Sequence, residues 1–322
     1  MNEVRARHPQ PAFIARHSSL IPMLFELLRA ARPYQWIKNL LLYAGFLFTL
    51  GAGRTLADFG RATAGVVIFC CLSASAYILN DLLDAEGDRR HPAKRNRPIA
   101  SGRLSPVSAL AAAIILGLLG LAAAWLMDPG FGLISSVYLA LTLAYSTFLK
   151  RVVLLDVMVL ALGYVVRAVA GAVIIHVPAS FWLALCTMLL ALFIGLCKRR
   201  AELSSNNQGA PMREVLAEYS LPLLDQMIGV VTSSALLAYS LYTYFTPTNT
   251  AAAPAWRFAN HLLTFTIPFV VYGIYRYLYL VYRRNEGESP EALFLHDGPL
   301  RYNTALWALA CAVARLAAGL TH

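Results

Sequence analysis

Residues Asn80–Gly102 read NDLLDAEGDRRHPAKRNRPIASG, a charged island between two apolar runs: Gly65–Leu79 before it, another from about Pro106 after it. Asn80, Asp81, Asp84 and Asp88 stand at offsets 0, +1, +4 and +8. At 100° per residue a helix gathers those four into one sector of about 100°. Carboxylates stacked at +4 repel and weaken a bare helix. A divalent cation removes the conflict, and hard oxygen donors of this kind suit Mg²⁺, which keeps its waters and bridges to substrate phosphates. Six cations follow: Arg89, Arg90, Lys94, Arg95, Arg97 and Arg103. Acid followed by base at the end of a membrane helix reads as a diphosphate site, with metal on one side and guanidinium and ammonium on the other.

Composition sets the class. The 322 residues are 58% hydrophobic and 14% charged, with a mean hydropathy of +0.58. A chain of this kind is a polytopic membrane protein. The net charge of +10 does not imply nucleic acid, because the cations cluster in particular loops. Cys70, Cys71, Cys186, Cys197 and Cys311 lie in or beside apolar runs without CxxC spacing and read as packing residues. Residues 1–18 are polar and basic, with no apolar core of a signal peptide, and read as a poorly ordered tail.

Nine spans are expected, at 37–53, 62–80, 106–126, 130–149, 153–175, 179–197, 221–245, 258–281 and 303–320. Before them, Ser19–Arg32 carries Leu20, Met23, Leu24, Leu27 and Leu28 on one side and Glu26 and Arg29 on the other, as a helix lying in the membrane interface does. Residues 1–36 are thus a tail with an interfacial helix, and 37–322 a single polytopic domain. Counting cations orients the spans. The N-terminal segment, loops 2–3, 4–5 and 6–7, and loop 8–9 with its flanks hold 22 of the 27 Lys and Arg; the opposite side holds Arg54, Arg61 and Arg257. That bias places the N-terminus and every chemistry-rich loop in the cytoplasm, with the protein in the inner (plasma) membrane.

Other polar groups sit in or beside the spans. Arg32–Asn39 reads RPYQWIKN, where Lys38 and Asn39 suit either a headgroup belt or substrate contact. Tyr145 and Lys150 lie in the loop before the fifth span. Asp156 opens that span, and an acid in an apolar run is costly enough to suggest function. Arg167, eleven residues on, falls on the same face about 16 Å further along the axis. Gly163 and Gly171 flank it and would allow close helix approach. Loop 6–7 begins Lys198-Arg199-Arg200-Ala201-Glu202, where cations serve either as a topological anchor or as phosphate ligands.

The NDxxDxxxD run with its HPxKRxRPIxSG flank, together with RPxQWxKN, resembles the UbiA superfamily of intramembrane prenyltransferases. That resemblance implies an all-α bundle around a cytoplasm-facing cavity, with polar loops capping its mouth and a side opening for lipid. Typical members carry a second aspartate-rich motif near loop 6–7. Here residues 198–220 hold only Glu202, Glu214 and Glu218 as acids. YSxxLKxxxxxD, GYxxRAxAGA (from Gly163), KRxAEL and the Ser289-Pro290-Glu291…Asp297 stretch are similar to the decaprenyl-phosphate phosphoribosyltransferase branch, although Gly298-Pro299 follows Asp297 where a cation is expected. The resemblance implies transfer of 5-phosphoribose from phosphoribosyl diphosphate (PRPP) to a polyprenyl (decaprenyl) phosphate, releasing pyrophosphate, for cell-envelope precursors. Asn80, Asp81, Asp84 and Asp88 would hold Mg²⁺, with Asp156 joining them or binding the ribose. Lys38, Asn39, Arg89, Lys94, Arg95, Tyr145, Lys150, Arg167, Lys198, Arg199 and Glu202 would contact substrate.

Two other functions compete. A prenyltransferase acting on an aromatic or other apolar acceptor calls for the missing second aspartate motif. A non-catalytic transporter or scaffold would also bury charge, but would show broken spans and paired inverted halves. A homo-oligomer is compatible with any of the three.

Overall fold

The computed structural model describes residues 20–92, 94–205, 214–245, 261–284 and 286–319, and these form helices joined by turns. In chain order the α-helices are α1 (Leu20–Ala30), α2 (Tyr43–Phe48), α3 (Leu56–Leu83), α4 (Ala85–Arg90), α5 (Pro106–Met127), α6 (Pro129–Thr147), α7 (Leu155–Ile174), α8 (Phe181–Ser205), α9 (Leu221–Phe245), α10 (Ile267–Arg283), α11 (Pro290–His296) and α12 (Gly298–Gly319). The expected tail 1–18 and the start of the eighth expected span, 258–260, lie outside the described residues.

Several helix starts are written locally. Thr55 and Asp58 form a reciprocal capping box at α3. Ser105 caps α5 and Asp128 caps α6, each followed by a proline in the first turn. Asp128 alone separates α5 from α6, so these two helices form a tight antiparallel hairpin.

Among the described residues, seven helices are long and apolar enough to cross a membrane: α3, α5–α9 and the segment His261–Arg283 that contains α10. The protein is a multi-pass membrane protein, and the expected count of nine is not reproduced. The first expected span is broken: Pro33–Leu42 is a 3₁₀ helix that gives way to the six-residue α2. The last, α12, has the length but carries Arg301, Asn303, Thr304 and Arg315 among its apolar residues. The bundle's outer surface bears exposed Val107, Leu118, Leu119 and Leu126, a surface suited to lipid and a liability in water.

α3 and α7 are the central helices, with 56% and 50% of their apolar windows buried against 22–28% for the other five. One core gathers Phe69, Leu72, Phe131 and Tyr138 from α3 and α6 with Leu42 and Ile174. A second gathers Phe193 and Leu196 of α8 with Ile228, Tyr277, Leu280 and Leu293. The 3₁₀ segment crosses α7 at Gly171, where an added Cβ would collide with the Leu42 backbone. Gly163 does not play the packing role expected of it; a Cβ there would meet only the Arg167 side chain, at 3.6 Å. The helix polarities bring the ends of α3, α6, α8 and α10 and the starts of α5, α7, α9 and α12 to one end of the bundle.

Candidate active site

The row of acids survives the end of α3. Asp84 has φ −92° and ψ 0° and closes that helix. Even so, its amide donates to Asn80 O at 2.9 Å, and Asp88's amide to Asp84 O at 2.8 Å. The +4 repeat therefore continues into α4, and Asn80, Asp84 and Asp88 line a cavity of about 660 Å³. Asp81, at the edge of the sector, turns into the protein with 2% exposure and does not line that cavity.

Every carboxylate of the row is paired. Asp81 accepts from Arg32 and, at 3.1 Å, from Arg97 Nη1, and the same Arg97 nitrogen lies 2.5 Å from Asp88 Oδ2. Lys150 Nζ reaches Asp84 Oδ1 at 2.6 Å and Asn80 Oδ1 at 3.2 Å. This cluster sets three carboxylates against three cations, and Lys94 and Arg151 line the cavity besides. Among the described residues no three acid, thiol or imidazole groups gather tightly enough to hold a metal by themselves. The cavity-facing oxygens of Asn80, Asp84 and Asp88 are nonetheless the hard donors Mg²⁺ prefers, and that ion takes its remaining ligands from water and phosphate. The set suits a metal that arrives with a diphosphate.

Neither Arg89 nor Arg95 lines the cavity; both are exposed, and Arg89 Nε donates to Ala100 O at 3.3 Å. Lys94 does line it. Arg32 and Arg97 were not singled out from the sequence, although Arg32 opens RPYQWIKN and Arg97 lies within the basic flank of the acid row.

Lys38, Tyr138, Tyr164, Arg167, Lys198 and Glu291 line the same cavity. Arg167 is 6% exposed and meets only neutral groups. Its Nε donates to Asn39 Oδ1 at 2.9 Å, Nη1 to Gly163 O at 3.0 Å and Nη2 to Tyr138 OH at 2.7 Å. Its guanidinium also lies 4.7 Å from the Tyr138 ring centre, a cation–π contact. Asn39 does not reach the cavity. It sits behind Arg167 and is itself held by donating to Ser73 Oγ at 3.1 Å. Lys38 pairs with Glu291 of α11. Burial raises the Glu291 carboxyl's pKa, but the Lys38 charge and hydrogen bond outweigh it and the net shift is downward. Glu291 is a site residue that sequence reasoning missed, although the Ser-Pro-Glu run was the signal.

The Lys-Arg-Arg run divides three ways. Lys198 faces the cavity. Arg199, 1% exposed, donates to Asp156 Oδ2 and to Glu202 Oε2, each at 2.6 Å, and reaches Tyr145 OH only at 3.5 Å. Arg200 points elsewhere, donating to Asp225 Oδ1 at 2.6 Å with Tyr282's ring 3.8 Å away. Tyr145 and Arg199 line the cavity; Asp156 and Glu202 do not. Asp156 is fully buried and also accepts from Tyr219 OH at 2.7 Å. That hydroxyl in turn accepts from the amide of Leu154, a residue at φ 68°. Burial, then the hydrogen bond to Asp156, pushes the Tyr219 hydroxyl up to about 12. Asp297 is remote from the cavity: it accepts from Arg276 at 2.8 and 3.2 Å and caps α12 through the Leu300 amide.

Residues 40–298 match the UbiA prenyltransferase family. The chain is 33% identical over 285 residues to the decaprenyl-phosphate phosphoribosyltransferase of Mycobacterium tuberculosis, covering 87% of this chain and 91% of that one. It is 31% identical over 291 residues to the Corynebacterium glutamicum protein of the same name, with 87% and 84% covered. A solved UbiA homolog from Archaeoglobus fulgidus, bound to GPP and Mg²⁺, has a TM-score of 0.68 at 19% identity, over 90% of this chain and 99% of that one. At that identity the likeness is one of fold.

Proposed function

The chain belongs to the UbiA prenyltransferase family, and from that premise we propose that it transfers 5-phosphoribose from PRPP to a polyprenyl phosphate such as decaprenyl phosphate, releasing pyrophosphate. It is a membrane transferase of that family; the donor and acceptor are the proposal. The supporting observation is the charge layout of one cavity. Asn80, Asp84 and Asp88 line it on one side and Lys38, Arg167 and Lys198 line it elsewhere, Lys198 lying near loop 6–7, where typical relatives place a second aspartate motif. A donor bearing one diphosphate and one separate phosphate suits a single metal site backed by fixed cations. The mycobacterial and corynebacterial relatives carry the corresponding name.

Asn80, Asp84 and Asp88 would hold Mg²⁺, which supplies neutralisation of the charge on the departing pyrophosphate. Lys150 and Arg97 then exchange carboxylate partners for phosphate oxygens. Asp81 is a positioning residue, keeping Arg32 and Arg97 aimed at the mouth. Asp156 acts at one remove, fixing Arg199 at the cavity wall. The acceptor phosphate oxygen is already anionic at neutral pH and attacks the anomeric carbon without a general base. The new C–O bond forms as the bond to the diphosphate breaks, through an oxocarbenium-like state and with inversion. The protein's share is positioning and preorganised charge.

PRPP is water-soluble and cytoplasmic, and 22 of the 27 Lys and Arg fall on the side of the polar loops. The site accordingly faces the cytoplasm from the inner membrane, within the one body formed by residues 37–322. The test is pyrophosphate release by the purified protein in nanodiscs. Release should require Mg²⁺, PRPP and polyprenyl phosphate together. Release without the lipid, or none with all three present, would refute the assignment.

A further inference from the structure

The cavity carries cations beyond those paired with the acid row. Among them are Lys38, Arg167 and Lys198, which line it together with the carboxylate Glu291. Arg167 meets only neutral partners. Among the described residues Lys198 forms no ion pair, although it lies within electrostatic reach of Lys38, Glu291 and Glu202. Arg199, also on the cavity wall, is paired with Asp156 and Glu202 behind it. Counting these too, four cations stand against three carboxylates.

Glu291 is the group able to yield. It sits in the first turn of the seven-residue α11, beside the cavity, and its partner Lys38 is itself a cavity cation. A carboxylate on an ammonium group occupies the place that a phosphate oxygen would take. If Glu291 withdraws, the same groups total two positive charges, which match a phosphate monoester dianion.

We propose that Lys38, Arg167 and Lys198 form a second anion subsite, independent of the metal and specific for a phosphate monoester, and that Glu291 holds it closed by occupying Lys38 until that phosphate displaces it. Two sources share this chemistry: the 5-phosphate of the sugar donor and the terminal phosphate of the lipid acceptor. The choice between these sources rests on the phosphoribosyl-transfer reading; the existence of the subsite does not.

The experiment is binding calorimetry on the intact protein in nanodiscs with EDTA present. Its probes are ribose 5-phosphate and geranyl phosphate, with ribose and geraniol as uncharged controls. At least one phosphate should bind without metal while its control does not. Lys198→Gln should weaken that binding about tenfold or more, the loss expected for one charge-assisted hydrogen bond. Glu291→Gln should tighten it severalfold by removing the competitor. The opposite signs separate the effect from general damage, and thermal unfolding checks that both variants are intact. Binding of ribose 5-phosphate assigns the subsite to the donor; binding of geranyl phosphate assigns it to the acceptor. Binding of neither by wild type and Glu291→Gln, or affinity unmoved by Lys198→Gln, overturns the inference. A protein that makes the phosphoribosyl lipid but binds no monoester in EDTA loses this subsite alone. One that binds the monoester but makes no such lipid keeps the subsite and loses the donor assignment.

Discussion

Gly171→Ala probes the close crossing of the segment that holds Asn39 against Arg167. A Cβ at Gly171 would stand 2.6 Å from both the carbonyl carbon and Cα of Leu42, and closer still to its carbonyl oxygen. Ordinary contact begins near 3.4 Å, so backbone must move by about 0.8 Å to clear those two carbons and by more to clear the oxygen. No flexible side chain can absorb that shift, because every clashing atom is main chain. Overpacking a tight interior costs about 1–3 kcal/mol, and a backbone clash belongs at the upper end. For a domain of this size about 3 kcal/mol corresponds to a fall of roughly 6 °C in Tm. The damage should also reach Asn39, one turn before Leu42 on the same 3₁₀ segment, and with it the 2.9 Å bond to Arg167. Nanodisc thermal unfolding, read by intrinsic fluorescence, measures the first effect; transfer rate at 25 °C, well below the transition, measures the second. Gly163→Ala is the control, since its Cβ meets only a side-chain nitrogen at 3.6 Å. If Gly171→Ala unfolds within about 1 °C of wild type, as Gly163→Ala should, the close crossing described here is wrong.

Three further outcomes follow from the same geometry. Asp84→Asn should raise the Mg²⁺ concentration needed for half-maximal transfer, whereas Asp81→Asn should slow transfer about 10- to 100-fold, the worth of one or two charge-assisted hydrogen bonds, with that Mg²⁺ requirement unchanged; magnesium titrations of the two variants compare them. Tyr219→Phe removes the hydroxyl that joins Asp156 to the Leu154 amide, and leaving those groups unmet should cost about 1–3 kcal/mol, measured as a lower unfolding temperature. Glu291's carboxyl is depressed in the folded protein, so the stability from its pair with Lys38 is fully present above the ordinary carboxylate value of 4.5 and is lost as pH falls from there through the depressed folded value; the gap in unfolding temperature between wild type and Glu291→Gln should stay constant from pH 7 to about 5 and narrow below that.

The acid row was legible because a helix repeats its faces every few residues and the spacing from Asn80 to Asp88 follows that period. The period also placed Asp81 at the sector's edge but could not say that it turns inward, because its partner Arg32 lies 49 residues away. Long-range pairing hid most of the rest. Asn39 meets Arg167 across 128 residues and Arg199 meets Asp156 across 43, and nothing in either neighbourhood names the other. Asp156 looked like a cavity group because a charge in an apolar run must do something, and its task here is to neutralise and hold Arg199. The first span was misread because hydropathy does not distinguish an α-helix from the tighter 3₁₀ winding of Pro33–Leu42. Glu291 stood in a quoted motif, but only the fold brings α11 to Lys38.

The most direct measurement sets the two donors against each other on one preparation. Nanodisc-embedded protein with Mg²⁺ receives labelled PRPP and polyprenyl phosphate in one reaction, and polyprenyl diphosphate with 4-hydroxybenzoate in a second, and mass spectrometry reads both lipid fractions. A phosphoribosyl polyprenyl phosphate in the first alone, reduced by Asp84→Asn at a fixed, subsaturating Mg²⁺ concentration, is the predicted result. A prenylated aromatic product in the second, with no phosphoribosyl lipid in the first, would contradict the account.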